Sequence, residues 1–393
     1  MKVAVINTVK NEGGAAKIAG MLSTAYNQIG SVSSKMYHMG DRESDSNFRG
    51  LQIPAARQLN AAFFRVTGVD TPVPLDISSK IIDRAKDSDV IHLHNLHGYY
   101  PDYKNLLALW GDKPIIWTWH DAWGATGRCA YPRECDGWKT GCQSCANMNY
   151  YPASLRDRAS KNYIERFNVL ANNRHLQIVS PSEWLAEIAI ERGYPESRVT
   201  VIPNPVDVEQ FSLTNPTASR QVLDLPFGKK IILFVAAQCD DPRKGYLDFC
   251  HATEGLDTLN IAIGSNPPKL FDHVKCVGAI ESTETMSHYF SAANVVVVPS
   301  YADNYPNVIL ESIASGVPVI GYNSGGVSEL LRFPFSKGVA AGDIQHLNLA
   351  LKEWLIDKHD LDHVKKTLRQ AAMDNWSIRN VAANYVRLMQ KML

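Results

Sequence analysis

The chain has 393 residues, with 40 Lys plus Arg against 40 Asp plus Glu and 45% hydrophobic residues. That length allows two or three domains with sizeable cores, and the balanced charge excludes the broad basic field of a nucleic-acid binder. No run approaches the ~20 apolar residues of a membrane-spanning helix, and the opening Met1-Lys-Val-Ala-Val-Ile-Asn is too short an apolar run for a signal peptide. A cytoplasmic protein is the expectation, with contact at the inner membrane surface left open because such attachment needs no spanning segment.

Lys2 to Asn7 reads as the first strand of an α/β domain, followed by Gly13-Gly14 and an apolar helical spacing through Ile18, Met21, Leu22 and Ala25. Glycine after a first strand lets a ligand approach the backbone closely; a Gly-Gly pair alone is a weak signal, and a simple tight turn is its ordinary reading. The Gly-x-Gly-x-x-Gly fingerprint is absent, which argues against a dinucleotide-dependent dehydrogenase. Ser44 to Pro74 has no clean period beyond a short helical stretch at Asn60 to Val66, and Asp76 to Lys86 is expected to be helical. Val90-Ile-His-Leu-His-Asn-Leu-His97 is a strand entering a loop. Its histidines lack an adjacent acid, so polar residues at a strand end are a better reading than a metal site.

Pro114 to Trp119 is another strand, and His120-Asp121 stands at its end. Next come Cys129, Cys135, Cys142 and Cys145 within one loop. Four thiols in one loop fit a structural zinc by count and proximity, although the first pair is spaced more widely than in a zinc ribbon; free thiols are the other reading. Leu155 to Asn172 is expected to be a long helix with its Arg and Lys residues on a solvated face. Leu176 to Ala186 reads as strand, turn and helix with Ser182 as N-cap. Pro203, Pro205 and Pro216 mark a linker.

The second half opens on a strand at Lys230 that runs into Arg243-Lys244-Gly245, two cations and a glycine at a strand-to-helix turn suited to a diphosphate. Val295-Val-Val-Val reads as a buried parallel strand. A polar loop follows, then a helix from Val308, a strand at Val319-Ile320, and a glycine loop at Gly325-Gly326 before another helix. The loop after a parallel strand presents amides at the next helix N-terminus, where anions bind. Asp303 and Glu311 frame it as acceptors for sugar hydroxyls. Lys352 to Leu393 reads as helix interrupted near Asn375-Trp376-Ser377.

The run Asp303-Asn-Tyr-Pro-Asn-Val-Ile-Leu-Glu311, with Ser315-Gly-Val-Pro-Val-Ile and Gly325-Gly326-Val-Ser-Glu329, resembles the acidic-x7-acidic region of retaining family 4 glycosyltransferases of the GT-B fold. The family usually carries Glu where Asp303 stands. The Cys-rich run resembles the subset of that family building bacterial surface polysaccharides of the colanic-acid, capsule and O-antigen type. The resemblance implies two Rossmann-like domains facing a cleft. One is an acceptor domain over residues 1–205 with a C-terminal helix at 377–393 packing back on it; the other is a nucleotide-sugar donor domain over 206–376. It implies a UDP- or GDP-sugar donor, a glycan or lipid-linked acceptor and no catalytic metal. Donor contacts would come from Gly13, Gly14, Arg243, Lys244, Asp303, Asn307, Val308 and Glu311, with His120, Lys244 and Asp303 at the reacting centre. Another GT-B enzyme, such as a nucleotide-sugar epimerase or phosphorylase, and a non-catalytic GT-B subunit are the alternatives.

Overall fold

The computed structural model describes the chain except residues 11–12, 39–46, 52–53, 98–100 and 357–358, and the side chains of Arg49 and Pro54. It divides into two compact units: Met1–Pro203 together with Ala382–Leu393, and Asn204–Val381.

In the first unit the strands β1 (Lys2–Ile6), β2 (Ser33–His38), β3 (Phe48–Gly50), β4 (Val90–Leu93), β5 (Ile115–Thr118), β6 (Leu176–Ser180) and β7 (Val199–Val201) form one sheet. Their order is β3-β2-β1-β4-β5-β6-β7, and every pairing described is parallel. β1 is flanked by β2 and β4, so the strand order reverses there. The carboxyl ends of strands at such a reversal are where open α/β sheets bind ligands. Thr8 Oγ1 donates to the Asn95 carbonyl (3.0 Å) and Asn95 N–H to Asn7 Oδ1 (3.2 Å), tying the two strand ends together.

In the second unit β8 (Lys230–Gln238), β9 (Thr258–Ser265), β10 (Val274–Gly278), β11 (Val295–Val298), β12 (Val319–Tyr322) and β13 (Lys337–Val339) are ordered β10-β9-β8-β11-β12-β13, again parallel. The reversal lies between β8 and β11. β11 shows why an all-valine run makes a central strand: Val296 and Val298 enter one core with Leu233 and Val319, while Val295 and Val297 enter the opposite core with Ile232 and Ile320. A β-branched side chain suits both faces, and no polar group has to be hidden.

Three sequence expectations change. The short helix at Asn60 to Val66 is part of a longer one, Pro54–Thr67. The helix expected from Leu155 begins only at Ala159. Its basic face is not all solvated: Arg166 is 1% exposed, ion-paired with Asp70 and laid over the Trp123 ring at 3.5 Å. A helical period cannot distinguish a solvated arginine from one whose partner is remote in sequence. The helical region from Lys352 is interrupted twice. The helix Ile344–Ile356 is followed by Leu361–Trp376, capped by Asp360, and then by Ile378–Met392 after Ser377.

Candidate active site

The second unit's candidate site lies at the β8/β11 reversal. After β8 a tight turn, Pro242–Lys244, is capped by Asp241, whose carboxylate accepts from Arg243 N–H at 2.9 Å. The chain leaves it through Gly245 at φ +69°, where a Cβ would stand 2.0 Å from the Pro299 carbonyl oxygen. Only glycine allows this loop to press against the end of β11. The consequence is a three-residue ion cluster: Lys244 Nζ lies 2.5 Å from Asp303 Oδ2 and Arg243 Nη1 3.6 Å from Asp303 Oδ1. Arg243 is also held by the Ala302 carbonyl at 2.9 Å and Asp241 at 3.1 Å. Burial pushes the Asp303 carboxyl up, but the Lys244 and Arg243 charges outweigh it and hold the group below the usual carboxylate range. It is an anion at neutral pH.

Asn307, Val308 and Glu311 stand on the helix Asn307–Ala314 that follows Asp303. Asn307 Oδ1 accepts from Asn204 Nδ2 at 3.3 Å, and the same amide donates to the Tyr305 carbonyl at 3.1 Å, so Asn204 braces the loop leading into the helix. Glu311 is buried one turn inside the helix. Gly326 N–H donates to the Asp303 carbonyl at 3.1 Å, joining the glycine loop to the acidic loop.

In the first unit His120 follows β5, and its Nε2 lies 2.8 Å from His94 Nδ1. β4 and β5 pair in register, Leu93 with Trp117, which brings the carboxyl ends of the two strands side by side. His92 is wholly buried, with Nδ1 3.1 Å from the Tyr26 hydroxyl and Nε2 2.8 Å from Thr118 Oγ1; that hydroxyl is 2.9 Å from Tyr385 OH. Burial drives these rings neutral, His120 down to about 4 and His92 to about 3, with His94 well below its ordinary value. Gly13 and Gly14 open the helix Gly13–Gln28 after β1; the preceding residues 11–12 lie outside the described part.

The sequence argued against a metal site at His92, His94 and His97 because no acid was adjacent in the chain. The structure supplies one from β5: His97 Nε2 is 2.7 Å from Asp121 Oδ2, and Asp121 Oδ1 caps Trp123 N–H at 2.9 Å. The readable signal was the alternation His-x-His at a strand end next to a second strand ending in His-Asp. The pairing itself depended on strand order.

Cys129, Cys135, Cys142 and Cys145 are free thiols, and among the described residues no group of three or more His, Cys, Asp or Glu is arranged to hold a metal ion. Burial raises the Cys129 thiol to about 12. The loop is organised instead around Arg128, 1% exposed, which donates to the carbonyls of Met148 (2.9 Å), Tyr150 (3.2 Å), Pro152 (2.6 Å) and Asn147, and approaches Cys145 Sγ at 3.6 Å.

Comparison with known proteins bears on the family and the fold. Residues 49–210 match the model for Glycosyltransferase Family 4, and residues 229–357 that for Glycosyl transferases group 1. The chain is 28% identical over 377 residues to the putative colanic acid biosynthesis glycosyl transferase WcaC of Escherichia coli, spanning 88% of this chain and 89% of that one. It is 25% identical over 246 residues to a lipopolysaccharide 1,2-N-acetylglucosaminetransferase of Salmonella typhimurium, spanning 54% and 62%. In fold it resembles sucrose-phosphate synthase from Thermosynechococcus elongatus (TM-score 0.72, 18% identity, 100% and 98% covered) and Anabaena HepE in complex with UDP-glucose (TM-score 0.69, 14% identity, both chains fully covered). With a family 4 model matched over residues 49–210, a group 1 model over residues 229–357 and the GT-B fold, the chain is a glycosyltransferase.

Proposed function

We propose that this glycosyltransferase moves a sugar, with retention at the anomeric carbon, from a UDP- or GDP-sugar to a glycan or lipid-linked oligosaccharide in bacterial surface-polysaccharide synthesis. The observation that carries the reading is the Lys244–Arg243–Asp303 cluster at the β8/β11 reversal. Cleaving a sugar–phosphate bond leaves charge on a diphosphate. Fixed cations and helix amides stabilise that charge as it develops, as a metal does elsewhere, so the reading needs no resident metal for catalysis. On this reading Lys244 and Arg243 face the leaving diphosphate with the amides of Asn307 and Val308. Glu311 accepts from ribose hydroxyls, Asp303 from the donor sugar, Gly13 and Gly14 let the diphosphate approach the backbone, and His120 stands by the reacting sugar. The acceptor attacks from the face that the leaving group vacates. The UDP and UDP-glucose complexes of the HepE structures favour a uridine donor, and the WcaC likeness favours a polysaccharide acceptor.

A structural zinc on the four thiols would require them to regroup, since no three of them are arranged to hold an ion; the Gly127 N–H 3.2 Å from Cys142 Sγ and the Arg128 contact to Cys145 are donors that would suit the thiolates of such a site. Peripheral membrane contact finds support in exposed Leu59, Val66 and Leu155 beside exposed Arg57, Arg65 and Arg156; Leu155 N–H donates to the Arg65 carbonyl at 2.7 Å. No helix among the described residues is long and apolar enough to cross a membrane.

The test is product analysis with UDP-glucose and other nucleotide sugars, with and without glycan acceptors, alongside calorimetry of UDP on the wild type and Glu311→Ala. Transfer only with acceptor, and roughly tenfold weaker UDP binding by a folded Glu311→Ala, is expected. Epimerised donor without acceptor, or unchanged UDP affinity in the variant, would contradict the assignment.

A further inference from the structure

The first unit holds a recess of about 20 Å³ walled by His97, Tyr103 and Trp123 together with Asp70, Phe64 and Leu96. Three of its lining residues carry a buried polar atom, His97 Nδ1, Tyr103 OH and Trp123 Nε1, with no hydrogen-bond partner among the described residues. Native proteins rarely leave such groups unsatisfied, and three around one recess call for an occupant. Nearby, Asp70 is engaged with Arg166, whose Nη1 donates to the carbonyls of Trp123 and Thr126 (2.6 Å to the latter); Arg166 Nε is a further buried donor without a partner among the described residues.

The three free atoms specify the occupant's chemistry. His97 Nε2 faces Asp121 Oδ2 at 2.7 Å, and a carboxylate only accepts, so Nε2 carries a proton; in the Nε2–H tautomer Nδ1 is an acceptor. Asp121 is itself fixed by the Trp123 N–H, which sets the ring's orientation. Trp123 Nε1–H can only donate, and the Tyr103 hydroxyl can do either. One acceptor, one donor and one two-way group complement a single O–H. A cation would face the indole N–H beside the Arg166 guanidinium, and an anion would face the Nδ1 lone pair. The room agrees: it suffices for one water-sized group, not for a sugar ring.

We propose that His97, Tyr103 and Trp123, with Asp121 positioning His97, bind one hydroxyl group of the acceptor sugar, the sugar ring itself lying outside the recess. This rests on the glycosyl-transfer reading. It is favoured by continuity: a second recess lined by His94, Thr118 and His120 shares Leu96, His97 and Trp123 with the first. A hydroxyl seated at His97 therefore keeps its sugar beside His120. A resident water offers the same O–H chemistry, and the experiment separates the two.

Full-length protein labelled with 15N-histidine is titrated, in the presence of UDP, with octyl α-glucoside, octyl α-galactoside and octyl α-mannoside. The wild type should show His97 in the Nε2–H tautomer. At least one glycoside should shift its Nδ1 resonance saturably. Tyr103→Phe, which removes one oxygen, should weaken that glycoside about tenfold, with UDP affinity unchanged. An Nδ1 resonance that no glycoside moves means the recess holds water only and overturns the proposal, as does a Tyr103→Phe variant that binds the glycoside equally well. Absence of UDP binding by calorimetry would instead count against the donor reading and leaves the His97 titration to stand on its own result.

Discussion

His94 Nδ1 lies 2.8 Å from His120 Nε2, with the two rings stacked at a centroid separation of 5.1 Å. One proton serves that contact, so the two tautomers are coupled: whichever ring donates leaves its other nitrogen bare. On the far side of His94 is Nε2, buried without a partner among the described residues, and on its face is His92 at 4.3 Å. A second positive charge has no place in this stack.

Stability should therefore depend on pH in a definite direction. Unfolded, these rings titrate near 6.5; folded, His120 titrates at about 4 and His92 at about 3. Between those values the unfolded chain binds more protons, so stability rises with pH across the window and the penalty vanishes above the unfolded value. Stability should fall between pH 7 and pH 5 by roughly 1 kcal/mol per pH unit for each such ring, and the thermal midpoint should fall with it. His92→Asn and His120→Asn should flatten the slope. A midpoint equal at both pH values would show that the rings are solvated.

Lys244→Ala removes the closer cation on Asp303. The interaction with a leaving diphosphate strengthens as the bond breaks, so turnover should drop by on the order of a hundredfold while UDP affinity falls less. His120→Ala should lower turnover with UDP affinity nearly unchanged. Steady-state kinetics beside calorimetry checks both, and equal losses of affinity in the two variants would refute the division of roles.

Arg166→Ala would leave Asp70 buried without its guanidinium and strip the cation from the Trp123 face. Breaking a buried pair from one side costs ~3–5 kcal/mol. Burial already pushes Asp70 upward despite its partner, so the carboxyl should protonate in the variant. Arg166→Ala/Asp70→Leu should recover much of the loss in urea unfolding. No recovery in the double variant would mean that the packing on Trp123, not the stranded acid, dominates.

The cysteine loop offers a stoichiometric readout. Protein purified under reducing conditions should carry about one zinc per chain if all four thiolates bind one ion, and chelation should then lower the melting temperature. Metal-free protein of unchanged stability, with all four thiols titratable on unfolding, would assign the loop's order to Arg128 alone.

Much of the second unit was legible along the chain. Val295–Val298 as a strand, the helix after Asn307 and the glycine at 245 are local matters of β-branched runs, helical spacing and a backbone that admits no Cβ. Arg243, Lys244 and Asp303 were each identifiable, but their meeting depended on β8 and β11 being neighbours.

The first unit was less readable, and the cause is the same physics at longer range. Local propensity sets where strands begin and end, so His94 and His120 were both visible as strand-end residues. Which strands adjoin is settled by burying both faces of a parallel sheet, a property of the whole unit. Only that arrangement set His120 on His94, gave His97 the carboxylate of Asp121 and drew Arg166 from an apparently solvated face onto Asp70. Residue types and their spacing determined the chemistry this protein carries. Tertiary structure decided the partners, because a charge or imidazole taken out of water must find its complement wherever the fold brings one.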